Sequence, residues 1–170
     1  RVGNAQQADS FYLFDKTAGS ATFLMSARPW MAASTPAIVE YLEIEARDGL
    51  MIPAYLTLPP ACVDEAACPM VVNPHGGPHG PRDYGVYSTE PQALASRGYA
   101  VLQMNFRGSG GYGFDFMRKG FKKWGEEIQF DIIDATKAVV GDKRSRIDPK
   151  RVCIYGGSFG AYSALQSVII

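Results

Sequence analysis

The chain of 170 residues is short of several things, and each shortage excludes a class of protein. It has no net charge, with 17 Lys+Arg against 17 Asp+Glu, so the basic excess of a nucleic-acid or anionic-membrane binder is missing. No apolar run approaches the roughly 18 residues of a membrane span. Arg1-Val2-Gly3-Asn4 lacks the apolar core of a signal peptide. A chain that opens on Arg is expected to have been cleaved or cut, so that absence describes only the residues present. Three cysteines exclude a disulfide framework. Cys62 and Cys68 flank a short polar loop and can pair, which leans toward an oxidising space, periplasmic or secreted, over the cytoplasm. Cys153 sits in an apolar run and is expected to be a buried core thiol. The two histidines, His75 and His79, are four residues apart, a metal-ligand spacing only on a helix. Gly76-Gly77-Pro78 forbids that helix, and no Cys has ligand spacing to them, so neither a metal nor another cofactor is expected. There is no internal repeat and no low-complexity tract.

What remains is the composition of a globular domain, 46% apolar and 20% charged. A chain this long can bury roughly two-thirds of its unfolded surface. Its 18 glycines and 11 prolines exceed the usual share of roughly 12%. They gather between Pro74 and Gly113, which predicts shaped loops there.

Residues 10–25 read as a β-hairpin: aromatic-rich Phe11 to Phe14, turn residues from Asp15 to Gly19, and a returning Thr22 to Met25. Residues 26–38 read as a connector, with a boundary near residue 35. Tyr41 to Glu45 and Ile52 to Leu58 form a strand pair across Asp48-Gly49. From residue 69 the pattern becomes alternating strands and helices. Met70 to Val72, Tyr99 to Phe106 and Val152 to Tyr155 are the strands. Thr89-x-x-Gln92 resembles a capping box that opens a helix stopped at Gly98. Ile128, Ile132, Ala135 and Val139 mark one face of a second helix, and 161–170 can form a third. This alternation predicts an α/β fold, a mostly parallel sheet with helices on both faces.

Gly156-Gly157-Ser158-Phe159-Gly160 matches the G-x-S-x-G nucleophile elbow, in which a tight strand-to-helix turn presents a serine hydroxyl. The turn crowds its own backbone, so small residues are needed two places before and after. The required strand and helix flank it. His75-Gly76-Gly77-Pro78 follows a strand and precedes a helix, where an α/β-hydrolase places its second oxyanion donor. An amide there and that of Phe159 would converge on the developing oxyanion. Gly108-x-Gly110-x-x-Gly113 formally matches a dinucleotide fingerprint. The acidic residues at the right distance, Asp131 and Asp134, lie in a helical pattern instead of at a strand end, so NAD is not expected. Lys119, Lys122 and Lys123 around Phe121 and Trp124 read as a helix end or loop packing its aromatics, not as a nucleic-acid patch.

These two motifs, with Asn105-Phe106-Arg107-Gly108-Ser109-Gly110-Gly111-Tyr112-Gly113, Asp148-Pro149-x-Arg151-Val152 and the trailing Ala161-Tyr162, occur in one order over residues 38–170. Together they resemble the prolyl oligopeptidase family of serine peptidases, on its acylaminoacyl-peptidase or dipeptidyl-aminopeptidase branch. The resemblance implies an α/β-hydrolase domain over 36–170, preceded by residues 1–35 as the end of a β-propeller and a connector. It implies Ser158 as nucleophile, with the Gly77 and Phe159 amides as oxyanion hole. Gly156, Gly160, His75, Gly76, Arg107 and Tyr162 would shape the elbow and pocket, Arg107 chiefly as a structural residue. Ala161 stands where the family often has Gly. His75 replaces the Tyr whose hydroxyl serves the oxyanion in the oligopeptidase branch. The implied partner is a short peptide substrate, without nucleic acid or membrane span, and the resemblance leaves room for a homo-oligomer.

A serine nucleophile needs a base held by a carboxylate, in the chain order Ser, Asp or Glu, His. Residues 159–170 contain no Asp, Glu or His, and both histidines precede Ser158 in the loop assigned to the oxyanion hole. Glu126, Glu127, Asp131 and Asp134 are expected to be a solvated helix face. The chain therefore reads as the nucleophile half of a hydrolase domain, continued beyond Ile170. A carboxylesterase on the same fold and a catalytically inactive binding module remain as alternatives.

Overall fold

A computed structural model describes residues 1–31, 35–64, 67–142 and 147–169. Strands β1 (Ser10–Asp15) and β2 (Ser20–Ser26) form an antiparallel hairpin closed by a turn whose amides at Thr17 and Ala18 donate to Asp15 Oδ1. Nearly every hairpin residue is exposed, including Leu13, Phe14, Phe23, Leu24 and Met25. A short 3-10 turn at Pro29–Met31 follows.

The second sheet has five strands among the described residues. Strands β3 (Ile38–Glu45) and β4 (Met51–Leu58) pair antiparallel, as the Asp48-Gly49 turn demands. Beyond the short helix α1 (Ala61–Asp64), β5 (Cys68–Val72), helix α2 (Thr89–Ala95) and β6 (Ala100–Met104) make a parallel crossover unit. Helices α3 (Phe114–Arg118) and α4 (Glu127–Gly141) lead to β7 (Ile147–Ile154), and α5 (Phe159–Gln166) follows. The strand order is β3-β4-β6-β5-β7. Two of the four pairings, β3 with β4 and β4 with β6, are antiparallel, so the sheet is mixed and its parallel part is β6-β5-β7.

The apolar period predicted for α4 is its buried face. Ile128, Ile132, Ala135 and Val139 pack on Leu56, Met70, Val72, Leu102 and Met104. Alternate strand residues Thr57, Val71 and Val101 are buried outside this cluster, on the face that α2 covers. From β5 the chain steps to β6 on one side, and β7 lies on the other. The strand order thus reverses at β5, and in open α/β sheets the crevice at such a reversal, past the carboxyl ends of the strands, is where ligands bind.

Three local expectations are corrected. The residue before α2 that takes the N-cap place is Ser88, without a side-chain cap bond. Gln92 instead clamps the chain at Ala37, accepting its amide at 2.9 Å and donating to its carbonyl at 3.2 Å. Cys153 is exposed: in β7 the inward residues are Val152 and Ile154, and Cys153 points to the opposite face of β7, the outermost strand among the described residues. Asp131 is fully buried and Asp134 is bonded to Arg47, so the acidic residues of α4 are not simply a solvated face. Cys62 and Cys68 form a disulfide, with Cα atoms 5.7 Å apart. No helix among the described residues is long and apolar enough to cross a membrane.

Candidate active site

Strands β5 and β7 continue their pairing one step past β7, where the Tyr155 amide donates to the Val72 carbonyl at 3.0 Å. Asn73 then ties three strand ends together: its amide donates to the Leu102 carbonyl at 2.8 Å and its Nδ2 to the Tyr155 carbonyl at 3.2 Å. The two loops that leave this point carry both motifs.

On the β7 side the chain turns sharply at Ser158, whose φ of 54° and ψ of −118° lie where L side chains are strained. The turn closes when the Gly160 amide donates to the Gly157 carbonyl at 2.9 Å and the Ala161 and Tyr162 amides to the Ser158 carbonyl. Both motif glycines face the Pro74 carbonyl oxygen. A Cβ on Gly156 would stand 2.8 Å from it, and one on Gly160 would collide with it. The small-residue requirement is therefore a contact between the elbow and the end of β5. Ser158 itself is exposed, at the start of α5, where unpaired amides and the helix dipole favour negative charge.

On the β5 side, Gly76 lies against the elbow: a Cβ there would stand 3.5 Å from Ser158 Cβ and 4.0 Å from Ser158 Oγ. Gly77 has φ 128°, open to glycine alone, and the Gly77-Pro78 peptide is cis. Among the described residues no protein acceptor takes the amide of Gly77 or of Phe159. His75 stacks on Phe106 with ring centres 4.2 Å apart and planes 21° apart. Its Nδ1 is 2.7 Å from the Gly76 carbonyl oxygen and its Nε2 is 2.8 Å from Ser109 Oγ. Burial pushes the imidazole below its usual range, against a smaller upward pull from the Gly76 carbonyl. With both nitrogens engaged away from Ser158, His75 is not placed as the base of a rearranged triad.

An aromatic wall flanks the elbow. The buried Phe159 ring packs on Phe106, Trp124 and Tyr162 at 5.4, 5.4 and 5.6 Å. The Trp124 indole N–H donates to His79 Nε2 at 3.3 Å, and Phe121 meets the His79 ring edge-on. Phe121 and Trp124 thus make ring contacts while remaining partly open to solvent. Arg107, next to Phe106, is buried. Its amide, Nε and Nη2 bond Asp131 at 2.9, 2.8 and 2.7 Å, and Nη1 and Nη2 bond Asp48 at 2.8 and 3.0 Å. Those bonds raise Arg107 further and hold Asp48 below the usual carboxylate range. Arg107 fixes the end of β6 to α4 and to the β3–β4 turn, with no contact to Ser158 among the described residues. Gly108 and Gly110, from the dinucleotide-like pattern, pair with the loop after β5 instead: the Gly80 amide donates to the Gly108 carbonyl at 3.0 Å and the Gly110 amide to the Gly80 carbonyl at 3.1 Å. Ser109, Trp124 and Asp131 were not visible from sequence as parts of this assembly, because each joins it across 24 to 45 residues.

A serine on a strained strand-to-helix turn, at a strand-order reversal, with a glycine loop beside it, defines an α/β-hydrolase domain. The chain belongs to the prolyl oligopeptidase family, whose pattern it matches over residues 85–169. It is 40% identical over 165 residues to dipeptidyl aminopeptidase BIII of Pseudoxanthomonas mexicana, which covers 93% of this chain and 23% of that protein. It superposes on the acylaminoacyl peptidase of Pyrococcus horikoshii with a TM-score of 0.79 at 26% identity, over 96% of this chain and 26% of that one. An acylaminoacyl peptidase in complex with Z-Gly-Gly-Phe-chloromethyl ketone gives the same TM-score and identity, over 97% and 26%. The chain thus spans about a quarter of the length of these proteins.

Proposed function

We propose that the protein carrying this chain is a serine peptidase that cleaves short peptides, releasing a dipeptide or an acylated residue from the N-terminus. The observation that carries this reading is the Ser158 turn, set beside Gly76 with two uncommitted amides on either side. Ser158 Oγ attacks the scissile carbonyl carbon and gives its proton to a base. The tetrahedral oxyanion lies between the Gly77 and Phe159 amides, where each donor is worth about 10²–10³ in turnover. The amine leaves with the proton, and water resolves the acyl-enzyme by the same steps. Residues 159–170 hold no His, Asp or Glu, so the proposal takes the base and its carboxylate from sequence outside residues 1–170. Gly156 and Gly160 shape the elbow. Tyr162 and Trp124 line its flank, and Arg107 holds the β6 end in place.

Residues 1–35 we read as the end of a β-propeller and a connector, and 36–170 as the first part of the hydrolase domain. The separate hairpin sheet with both faces apolar and exposed supports this division. A peptide substrate is the partner this reading requires; the likeness to a peptidase holding a peptidyl chloromethyl ketone supports it.

The test is a substrate panel on the full-length protein: dipeptidyl and acylaminoacyl amides against simple aryl esters. The reading expects amide cleavage at the N-terminal residue or dipeptide. Ester cleavage without any amide cleavage makes the protein an esterase on this fold, and no turnover at all leaves a binding module.

A further inference from the structure

We propose, on the reading above that Ser158 is a peptidase nucleophile, that Arg82 is a specificity residue: its guanidinium binds a carboxylate of the peptide held at Ser158.

Arg82 stands where the loops at the carboxyl ends of β5 and β6 meet, on the side of the sheet where such folds bind their ligands. Gly80 is bonded to Gly108 and Gly110, and the Gly110 amide also donates to the Pro81 carbonyl at 3.3 Å. Pro81 leads back toward the nucleophile: a Cβ on Gly77 would stand 3.1 Å from Pro81 Cδ, and Gly76 lies against Ser158. Extended peptide advances roughly 3.3 Å per residue, so Arg82 lies within a few residues of the scissile bond.

The guanidinium is held in place before any ligand arrives. Its Cζ is 4.3 Å from the centre of the Tyr84 ring and 5.1 Å from that of Tyr112. Tyr112 is itself fixed, its hydroxyl accepting from Asn105 Nδ2 at 2.8 Å. The side chain crosses Gly111, where a Cβ would stand 3.0 Å from both Cδ and Cζ of Arg82 and collide with Nη1. A group ordered in advance costs less entropy when it binds.

What the guanidinium lacks is an acceptor. Arg82 is half-buried, its Nε is buried without a partner, and no carboxylate among the described residues pairs with it. Arg47 and Arg107, by contrast, each hold an aspartate. The adjacent Asp83 is committed elsewhere, its Oδ1 to Gln103 and its main chain to Asn105. Aromatic faces stabilise a cation but take none of its N–H bonds. A guanidinium keeps its charge at every working pH, and its planar fork of donors fits a carboxylate. A short peptide offers that group in two places, its C-terminus and its Asp or Glu side chains.

The test uses the full-length protein and two series of short peptides. In one, identical peptides end in a free acid or an amide. In the other, amidated peptides carry Asp or Asn at each position in turn. The quantity read is the ratio of kcat/KM within each pair, which a loss of folded enzyme does not move. The wild type is expected to favour the carboxylate member of at least one series by about tenfold, the scale of a charge-assisted bond partly open to solvent. Arg82→Met should bring that ratio near one, Arg82→Lys should recover part of it, and Arg82→Glu should invert it. A preference in the free-acid series assigns the C-terminal carboxylate, and one in the Asp series a side chain. A wild-type ratio near one in both series, or a preference that survives Arg82→Met, overturns the role given to Arg82. No cleavage of any peptide by the wild type overturns the peptidase reading beneath it.

Discussion

The carbonyl oxygen of Pro74 is seated against Gly160 so closely that a Cβ at residue 160 would fall on it. The end of β5 and the turn after β7 are thus one packed unit, and the elbow is shaped by its neighbour as much as by its own sequence. Gly160→Ala is expected to destabilise the full-length protein by about 1–3 kcal/mol, the usual cost of overpacking, and to depress turnover by displacing Ser158. Chemical denaturation with a parallel rate measurement checks this; an unchanged midpoint and rate would contradict it.

The Ser158 backbone is held at φ 54° and ψ −118°, a conformation that costs a non-glycine residue on the order of 1–3 kcal/mol. Ser158→Gly should therefore raise the thermal midpoint, while Ser158→Ala, which keeps the strain, should leave it near wild type. Both should be inactive. Calorimetry on the two variants separates strain from chemistry, and equal midpoints would show that the turn is relaxed.

Asp83 lies in the loop after the Gly76-Gly77 segment, with Oδ1 accepting from Gln103 Nε2 at 2.9 Å and a buried Oδ2 without a partner among the described residues. Burial, helped by the Glu90 charge, pushes its carboxyl up to about 7. A carboxyl raised in the folded state binds its proton more tightly there than when unfolded. Its contribution to stability is then fully present below about pH 4 and is lost as pH rises through 7. Asp83→Asn removes that loss. Relative to wild type it should gain stability between pH 4 and pH 8, by on the order of 1–3 kcal/mol. Thermal midpoints across that range decide it: a difference independent of pH would mean that Asp83 titrates normally.

The parts of the site legible in the sequence are those whose physical requirement is local. G-x-S-x-G is a five-residue backbone constraint, and His75-Gly76-Gly77 is a three-residue one, so both could be read without knowing what packs on them. The strand pair around Asp48-Gly49 and the apolar face of α4 were legible for the same reason. Asp131 was not. Its helical spacing resembles that of a solvated acid, and only the fold brings it to Arg107, 24 residues away. Gln92 fitted a capping box locally, but the tertiary bond to Ala37, 55 residues away, won. Cys153 was misread because an apolar run does not reveal which of its residues face the core. Helix α3, at five residues, is too short to leave a periodic signal.

The central claim is that Ser158 is an activated nucleophile, and covalent labelling tests it most directly. The full-length protein is treated with a fluorophosphonate probe and mapped by peptide mass spectrometry. The account predicts a single adduct on Ser158, absent in Ser158→Ala. A folded protein that takes no adduct, or takes it on another serine, would contradict the account.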